Sequence, residues 1–398
     1  MRRIYMDANA TTPLLPEVFE AMRPFWMEIY GNASSIHQQG QQARGAVEQA
    51  RSSVARFLHC LNSEIVFTSG GTESDNLALF GILSAESTAE PAHLITTTIE
   101  HHAVLHAAES LAKRNVEVTF LPSTSEGLIE PAALKAAIRP NTKLVSIMFA
   151  NNETGVIQPI AELAAIAHAA GALFHTDAVQ ASGKLPLDLS AEGPLKHVDL
   201  LTLSGHKLYA PKGIGVLFVR RNVRLVPMLH GGMHERQRRA GTENVAAIVG
   251  LGKATELAAA WLTTEAHDKL TALRDRFEQG ILAQIDETGV NGGVAPRVSN
   301  TCNLYFDHLE AEALVIALDL KGLSVSGGSA CQSGAAEPSH VLTAMGLPAA
   351  RARASVRFSL SRLTTEEEVD EALKLVPTAV ARLRELSPAY GKPVPAAL

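Results

Sequence analysis

Short apolar runs alternate with longer amphipathic stretches through roughly the first 220 residues of the chain. Seven runs have the length and composition of buried strands, and they occupy residues 64–68, 93–97, 116–120, 144–150, 173–177, 199–203 and 213–219. Between them, apolar residues recur at helical spacing and predict helices at residues 37–58, 103–113, 131–138 and 160–170. This alternation predicts an α/β fold, with a mostly parallel seven-stranded sheet covered by helices on both faces.

The pattern changes after residue 255. Leu270, Leu273, Phe277 and Ile281 indicate a helix, and short strands at 303–306 and 323–325 enclose another helix at 311–320. A capping box at Thr365 opens a final amphipathic helix. We therefore expect a large domain of residues 13–255 and a smaller α+β domain of residues 256–398, joined by residues 1–12.

Composition narrows the functional class. The 398 residues are 46% hydrophobic and carry a net charge of −6, so neither nucleic acid nor a membrane surface is expected as the main partner. Cys60, Cys302 and Cys331 form neither a disulfide framework nor a zinc-binding pattern, which suits a reducing compartment. Without a signal peptide or an apolar run near ~20 residues, the sequence predicts a cytoplasmic protein.

Polar residues gather where the predicted strands end. They are Thr72, His101, Asn152, Asp177, Gln180 and Lys207. Ligands of open α/β sheets bind at the carboxyl ends of the strands. One shared site would therefore explain all of these positions.

Lys207 follows an apolar strand and a Ser-Gly-His break. Apolar surroundings lower the pKa of a lysine from ~10.4, and the resulting free amine is a nucleophile toward aldehydes. The alternative is a surface lysine at a strand end. Upstream, Gly71 and Thr72 lie in a glycine turn between a strand and a helix, which can cradle an anion or simply cap the helix.

Asp177 ends an apolar run, so its carboxylate needs a partner. It could be a structural hydrogen-bonding group, or it could pair with a protonated pyridine nitrogen and keep that ring electron-poor. His101 and His102 lack a third ligand for a metal ion, and we expect none. His101 could instead cover the face of an aromatic cofactor and pass protons.

Cys331 lies in a loop rich in glycine and serine rather than among apolar residues. This setting is typical of a nucleophilic thiol on a flexible arm, and an inert loop thiol is the alternative. Cys60 and Cys302 border apolar segments and are interpreted as structural. Arg357 alternates within a strand-like run, where it could bind a carboxylate with both arms of its guanidinium group or form a structural ion pair.

Taken together, these motifs resemble the cysteine desulfurases of the NifS/IscS type, within the fold-type I pyridoxal phosphate enzymes. The resemblance covers residues 5 to about 387. It rests on the stretches at residues 7–13, 68–76, 100–101, 151–153, 177–180, 204–207, 239–244, 329–331 and 357–359. One departure is that Gly327 and Gly328 precede Ser329, where the family often has serines before the glycine.

The resemblance implies a role for each position. Lys207 looks like the lysine that binds pyridoxal phosphate covalently, and Asp177 like the partner of its ring nitrogen. The other implied cofactor ligands are Gln180 at the ring hydroxyl, His101 stacked on the ring, and Gly71, Thr72, Ser204 and His206 at the phosphate, with Thr242 contributed by the other subunit of a homodimer. Asn152 and Arg357 resemble the residues that hold the substrate carboxylate, and Cys331 resembles the thiol that takes the sulfur.

The implied activity is conversion of L-cysteine to L-alanine, with the sulfur held on Cys331 as a persulfide. An acceptor protein such as an iron–sulfur scaffold would receive it, and thiolation is an alternative use. The rivals are a selenocysteine lyase or aminotransferase of the same fold, a non-catalytic scaffold, and more remotely a metal-dependent hydrolase. Cys331 argues against an aminotransferase, and the set of Lys207, Asp177 and His101 argues against a scaffold.

Overall fold

The computed structural model describes residues 3–84, 91–327 and 338–386. Its strands are β1 (Ile4–Tyr5), β2 (Ile65–Thr68), β3 (His93–Thr97), β4 (Glu117–Leu121), β5 (Thr142–Ser146), β6 (Leu173–Asp177), β7 (Leu200–Ser204), β8 (Gly215–Val219), β9 (Thr288–Val290), β10 (Thr301–Phe306), β11 (Leu323–Ser324), β12 (Ser326–Gly327) and β13 (Ser355–Ser359).

The helices are α1 (Pro16–Met22), α2 (Pro24–Met27), α3 (Gln38–Phe57), α4 (Gly71–Leu83), α5 (His102–Ala112), α6 (Pro131–Ala137), α7 (Ile160–Ala169), α8 (Val245–Leu262), α9 (Glu265–Leu282), α10 (Ala311–Asp319), α11 (His340–Ala344), α12 (Ala349–Arg353) and α13 (Glu366–Leu386). Helices cover the main sheet on both of its faces, as the apolar runs predict.

The main sheet has seven strands in the order β2-β8-β7-β6-β5-β3-β4. Only β8 runs antiparallel to its neighbours, so the carboxyl ends of the other strands lie along one edge. Successive residues of each strand point to opposite faces. Phe67, Val145 and Phe174 enter one core, while Val66 and Leu144 enter a second core on the other face. The expected seven-stranded, mostly parallel sheet is confirmed.

A second assembly lies around an antiparallel sheet of order β12-β13-β10-β9. Its separate core includes Phe277, Phe306 and Phe358. Ile4 and Met6 also belong to this core, because β1 pairs in parallel with β11. The division into residues 13–255 and 256–398 remains a prediction, and its boundary falls inside the continuous helix α8.

Two differences from the sequence prediction have a clear structural origin. The strand expected at 323–325 is split at Val325, because β11 pairs with β1 while β12 pairs with β13. Helix α8 was not predicted, since its apolar residues surround the helix and leave no polar stripe.

Among the described residues, α8 alone is long and apolar enough to cross a membrane by length and composition. It packs against α1, α2 and α3, and half of it is buried. Core helices commonly have these properties, so this helix is weak evidence for a membrane span.

Candidate active site

A cleft of about 380 Å³ opens at the carboxyl edge of the main sheet. Its lining includes Gly71, Thr72, His101, Asn152, Asp177, Gln180, Ser204, His206, Lys207 and Arg357. The structure thus brings together all of the predicted site residues except Thr242 and Cys331. Thr242 is exposed and does not line this cleft. Cys331 lies outside the described residues.

Lys207 ends the short turn that follows β7. Its Nζ donates to the backbone carbonyls of Ala10, at 2.7 Å, and Asn9. The N-terminal segment is held against this turn by Thr12, whose backbone N–H donates to the carbonyl of His206 at 2.9 Å. The amine is thereby held by two neutral carbonyl oxygens at the inner end of the cleft.

Asp177 lies at the end of β6, where its Oδ1 accepts the backbone N–H of Val179 at 2.9 Å. Burial raises its pKa above the ordinary value, and the positive charge of Lys207 opposes that rise. Asp75, on α4, also lines the cleft, and burial together with the charge of Asp177 raises its pKa. Oδ1 of Asp75 is buried without a hydrogen-bond partner. This end of the cleft therefore favours a cationic ligand atom.

His101 caps the N-terminus of α5, and its Nδ1 accepts the backbone N–H of Ala103 at 3.1 Å. The cap requires an unprotonated Nδ1, so the neutral ring carries its hydrogen on Nε2. Burial, followed by the charges of Lys207 and His102, lowers the pKa of His101 to about 4. At neutral pH this residue is a neutral imidazole with one N–H to donate.

Arg357 reaches the cleft from β13 of the smaller sheet. One Nη atom donates to the carbonyl of Asn152 at 2.9 Å, and the other pairs with Asp7 Oδ1 at 2.8 Å. Two buried polar atoms at this end lack partners, namely Arg357 Nε and Asn152 Oδ1. Buried polar atoms rarely remain unpaired in proteins, so this end of the cleft has bonding capacity left for a ligand.

The beginning of α4 forms the third side of the cleft. Gly70 has φ +155°, and a Cβ on Gly71 would approach Val179 Cγ2 to 3.1 Å. The absence of a side chain therefore leaves the first turn of α4 open, with its backbone N–H groups available for an anion. Ser204 and His206 border the same space.

Several residues of the site were not identified from the sequence. Asn9, Asp75, Glu153 and His340 line the cleft as well. The only sequence signal for Asn9 was its place in the stretch 7–13. Glu153 is buried, accepts a hydrogen bond of 2.5 Å from Ser339 Oγ, and has its pKa raised to about 7 by burial.

Within the described residues, Cys60 is a half-buried thiol, Cys302 is a buried one, and no metal-binding group is found. Burial raises the pKa values of both Cys60, to about 12, and Cys302, so both thiols stay protonated at neutral pH. Across residues 3–84, 91–327 and 338–386, no group of three or more His, Cys, Asp or Glu side chains is placed to hold a metal ion.

Comparison with known proteins identifies the family to which this chain belongs. The family model described as aminotransferase class-V matches residues 4–372. The chain belongs to the class-V aminotransferases. Within that family it is similar to "Cysteine desulfurase 2" of Trichormus variabilis, with 51% identity over 98% of this chain and 96% of the relative. "Cysteine desulfurase IscS" of Methanosarcina thermophila is 49% identical over 97% of this chain and 94% of the relative.

Solved class-V structures agree with these relatives. A structure described as a NifS-like protein superposes with a TM-score of 0.88 at 36% identity, covering 96% of this chain and all of the other. Another, described as SspA in complex with cysteine, has a TM-score of 0.80 at 37% identity, covering 91% of this chain and all of the other. The resemblance to cysteine desulfurases and the predicted fold class are confirmed.

Proposed function

We propose that this protein is a cysteine desulfurase, which converts L-cysteine to L-alanine with pyridoxal phosphate and transfers the sulfur to Cys331. The observation that carries the proposal is the convergence of Lys207, Asp177 and His101 in one cleft with Asn152 and Arg357. The relatives named cysteine desulfurases, which match nearly the whole chain, support the same activity.

The residues of the cleft fit pyridoxal phosphate. Lys207 supplies the amine for its aldehyde, and the buried carboxyl of Asp177 suits a protonated ring nitrogen. The open first turn of α4, with Thr72, Ser204 and His206, suits its phosphate, and Gln180 and His101 suit its ring oxygen and ring face. When bound, the cofactor supplies an electron-accepting ring that stabilises negative charge on the α-carbon of the substrate.

The protein's own groups bind the substrate and move its protons. Arg357, with its unpaired Nε, and Asn152 hold the carboxylate of L-cysteine. Lys207 Nζ takes the α-proton, and the carbonyls of Asn9 and Ala10 keep this atom at the inner end of the cleft. Because Nδ1 of His101 is occupied by its helix cap, its Nε2–H is the group left to donate to a ligand in the cleft.

Cys331 completes the transfer. Its thiolate attacks the substrate sulfur, a sulfur–sulfur bond forms, and the electrons of the broken carbon–sulfur bond remain on the carbon that is protonated to give alanine. The two flanks of its segment support this role. Ser326 pairs with Arg357 in the sheet, and His340 lines the cleft.

A homodimer is also part of the proposal. Met27, Tyr30, Ile36 and Met233 are between 73% and 94% exposed, which is unusual for such large apolar side chains. Met233 borders one surface depression with Ala33, Ser34 and the middle of α3. If a second subunit covers this surface, Thr242 of the first subunit lies near the phosphate site of the second.

The acceptor rests on the resemblance alone, and the compartment rests on the composition of the sequence. We infer a cytoplasmic enzyme whose acceptor is a protein such as an iron–sulfur scaffold, with thiolation as the other use. A selenocysteine lyase or an aminotransferase would share the cofactor residues, so the products of the reaction must separate these activities.

The decisive experiment is incubation of the purified protein with L-cysteine, followed by assay of alanine and by intact-mass measurement. We expect alanine and an added mass of one sulfur atom. Lys207→Ala should lose the yellow absorbance of the bound cofactor and form no alanine. A Lys207→Ala protein that kept a covalent cofactor would refute the assignment.

The role of Cys331 needs its own variant. Cys331→Ser should bind cofactor and L-cysteine but acquire no sulfur and release no sulfide under reducing conditions. The matched control is Cys60→Ser, since burial keeps that thiol protonated and its loss should leave turnover unchanged. Normal turnover by Cys331→Ser would exclude the persulfide mechanism. Formation of 3-mercaptopyruvate when a 2-oxo acid is supplied as amino acceptor would favour the aminotransferase.

A further inference from the structure

Lys184 is a half-buried lysine next to the cleft, and burial, followed by the positive charge of Lys207, lowers its pKa to about 7. Its Nζ donates to Gln180 Oε1 at 2.9 Å and to Asn9 Oδ1 at 3.3 Å, and both of these side chains are neutral. In the described part of the chain, no carboxylate forms an ion pair with it. A buried lysine normally requires such a partner. A functional role would explain why a lysine occupies this position.

The hydrogen bonds around Lys184 determine the orientation of Gln180. Amide oxygen and nitrogen atoms are told apart by their partners. While it is charged, Lys184 has no lone pair and can only donate a hydrogen bond, so it then requires Oε1 of Gln180 on its side. On the other side, the backbone carbonyl of Asn9 can only accept, and it receives Gln180 Nε2 at 3.0 Å. The second N–H of that nitrogen is left for the cleft, which Gln180 lines.

Asn9 is fixed in the same manner. Its Nδ2 donates to the carbonyl of Asn152 at 3.1 Å and to Thr301 Oγ1 at 2.9 Å. Its Oδ1 consequently faces Lys184 and also accepts Asn300 Nδ2 at 3.1 Å. Lys184 thus meets two acceptors, and an uncharged amine, which has two N–H groups, would still satisfy both.

We propose that Lys184 is a positioning residue that holds the Gln180 amide with its N–H group toward the ring oxygen of pyridoxal phosphate. This inference rests on the proposed function, since it concerns the same cofactor. Without Lys184, the Gln180 amide would keep its bond to the Asn9 carbonyl, but Oε1 would lose its partner. The amide plane would then be free to turn about the remaining bond, and its second N–H group would no longer be held toward the ring oxygen.

The test is the pH titration of the visible absorbance of the cofactor-bound protein. Lys184→Met gives an unbranched side chain one atom shorter than lysine and removes the donor. A hydrogen-bond donor and a positive charge stabilise the negative charge on the ring oxygen. Without them, the protonated form of the chromophore is favoured. The titration midpoint should therefore rise by about one pH unit. The control is Lys196→Met, because Lys196 is exposed and should leave the midpoint unchanged.

A double variant separates positioning from a direct effect of charge. If Lys184 acts through Gln180, adding Lys184→Met to Gln180→Ala should move the midpoint no further than Gln180→Ala alone. Lys184→Arg should restore most of the wild-type midpoint. It keeps N–H donors, and a cavity of about 30 Å³ beside Lys184 has room for the larger group.

Two results would overturn the inference. One is a wild-type midpoint in Lys184→Met, and the other is an equal additional shift in the Gln180→Ala background. If Lys184→Met does not fold, Lys184→Arg and Gln180→Ala decide, and a Gln180→Ala midpoint equal to the wild type would exclude the proposal. Either failure would leave alanine formation and the Lys207-dependent absorbance of the wild type intact, so the proposed function is tested separately.

Discussion

Glu100 shows how burial sets protonation near the cleft. It is fully buried, and burial raises its pKa to about 8. Its Oε1 accepts two hydrogen bonds, from Thr97 Oγ1 at 2.8 Å and from the backbone N–H of Met148 at 2.9 Å, while Oε2 has no partner. A carboxyl group bonded on one oxygen only is well suited to keeping its proton on the other.

Glu100→Gln should change how stability depends on pH. An unfolded glutamate loses its proton near pH 4.5, whereas the folded protein retains it up to about pH 8. Between these values the folded state binds more protons, so the free energy of unfolding falls as pH rises. Glutamine cannot ionise, so the variant should be more stable at pH 8 than the wild type by a few kcal/mol.

Thermal unfolding at several pH values from 4.5 to 8 measures this effect. The exposed substitution Glu192→Gln serves as the control and should follow the wild-type curve. Parallel curves for Glu100→Gln and the wild type would show that Glu100 is ionised in the folded protein at neutral pH.

Single residues could be predicted from the sequence where the local pattern was unusual. Asp177 ends a strand, and Lys207 follows one, so each stood out on local grounds. Lys184 did not, because its partner Asn9 is 175 positions away. The ion pair between Arg357 and Asp7, 350 positions apart, could not be chosen over carboxylate binding for the same reason.

At the scale of elements, the segment 228–244 is held by one buried ion pair. Glu235 accepts from Arg51 at 2.8 Å and from the backbone N–H of Phe67 at 2.9 Å, which ties the segment to α3 and β2. Glu235, Arg236 and Gln237 all have positive φ angles. Non-glycine residues rarely adopt this conformation, so the ion pair stabilises an otherwise unfavourable turn.

Glu235→Ala should loosen this segment and destabilise the protein. It would leave Arg51 buried without Glu235, and breaking such a pair costs about 3–5 kcal/mol. Denaturant unfolding measures the loss. Arg236→Ala is the control, because Arg236 lies in the same turn but is exposed. Equal stabilities for the two variants would mean that the ion pair contributes little.

Helices and strands were predicted correctly where the apolar residues recur at a clear helical or strand spacing. The main sheet follows from short apolar runs, and α3 and α9 follow from amphipathic spacing. Helix α8 lacks a polar face, so its period is not visible in the sequence. At Val325 the chain changes its pairing partner from β1 to β13. Only folding brings these two strands to either side of Val325, so the local sequence does not reveal the change.

At the scale of the whole molecule, the cleft combines groups from both sheets. Lys207 and Asp177 come from the main sheet, and Arg357 comes from the smaller one. The proposed dimer would add Thr242 from a second copy. The sequence indicated a contribution from a second subunit only through the family resemblance, because an intersubunit contact leaves no periodic pattern in a single chain.

Met233→Glu tests the dimer. Burying an unpaired carboxylate in an apolar interface costs roughly 2 kcal/mol or more, so dimer affinity should fall at least about tenfold. Cofactor affinity should fall with it. Sedimentation velocity and a cofactor titration measure both effects. Val294→Glu is the control, since Val294 is 87% exposed away from this surface. Unchanged sedimentation of Met233→Glu would place the interface elsewhere.

The position of Asn9 near the start of the chain has a consequence for biosynthesis. Its partners Thr301 and Ser359 follow 292 and 350 residues later. At ribosomal speeds of about 5–20 residues per second, Asn9 waits roughly 15 to 60 s for Thr301 to be synthesised. A nascent chain stalled before that point can form its main sheet, but Asn9, which accepts from Lys184, still lacks Thr301 and Ser359 as partners. The cleft, which also needs Arg357, is therefore complete only after translation of almost the whole polypeptide.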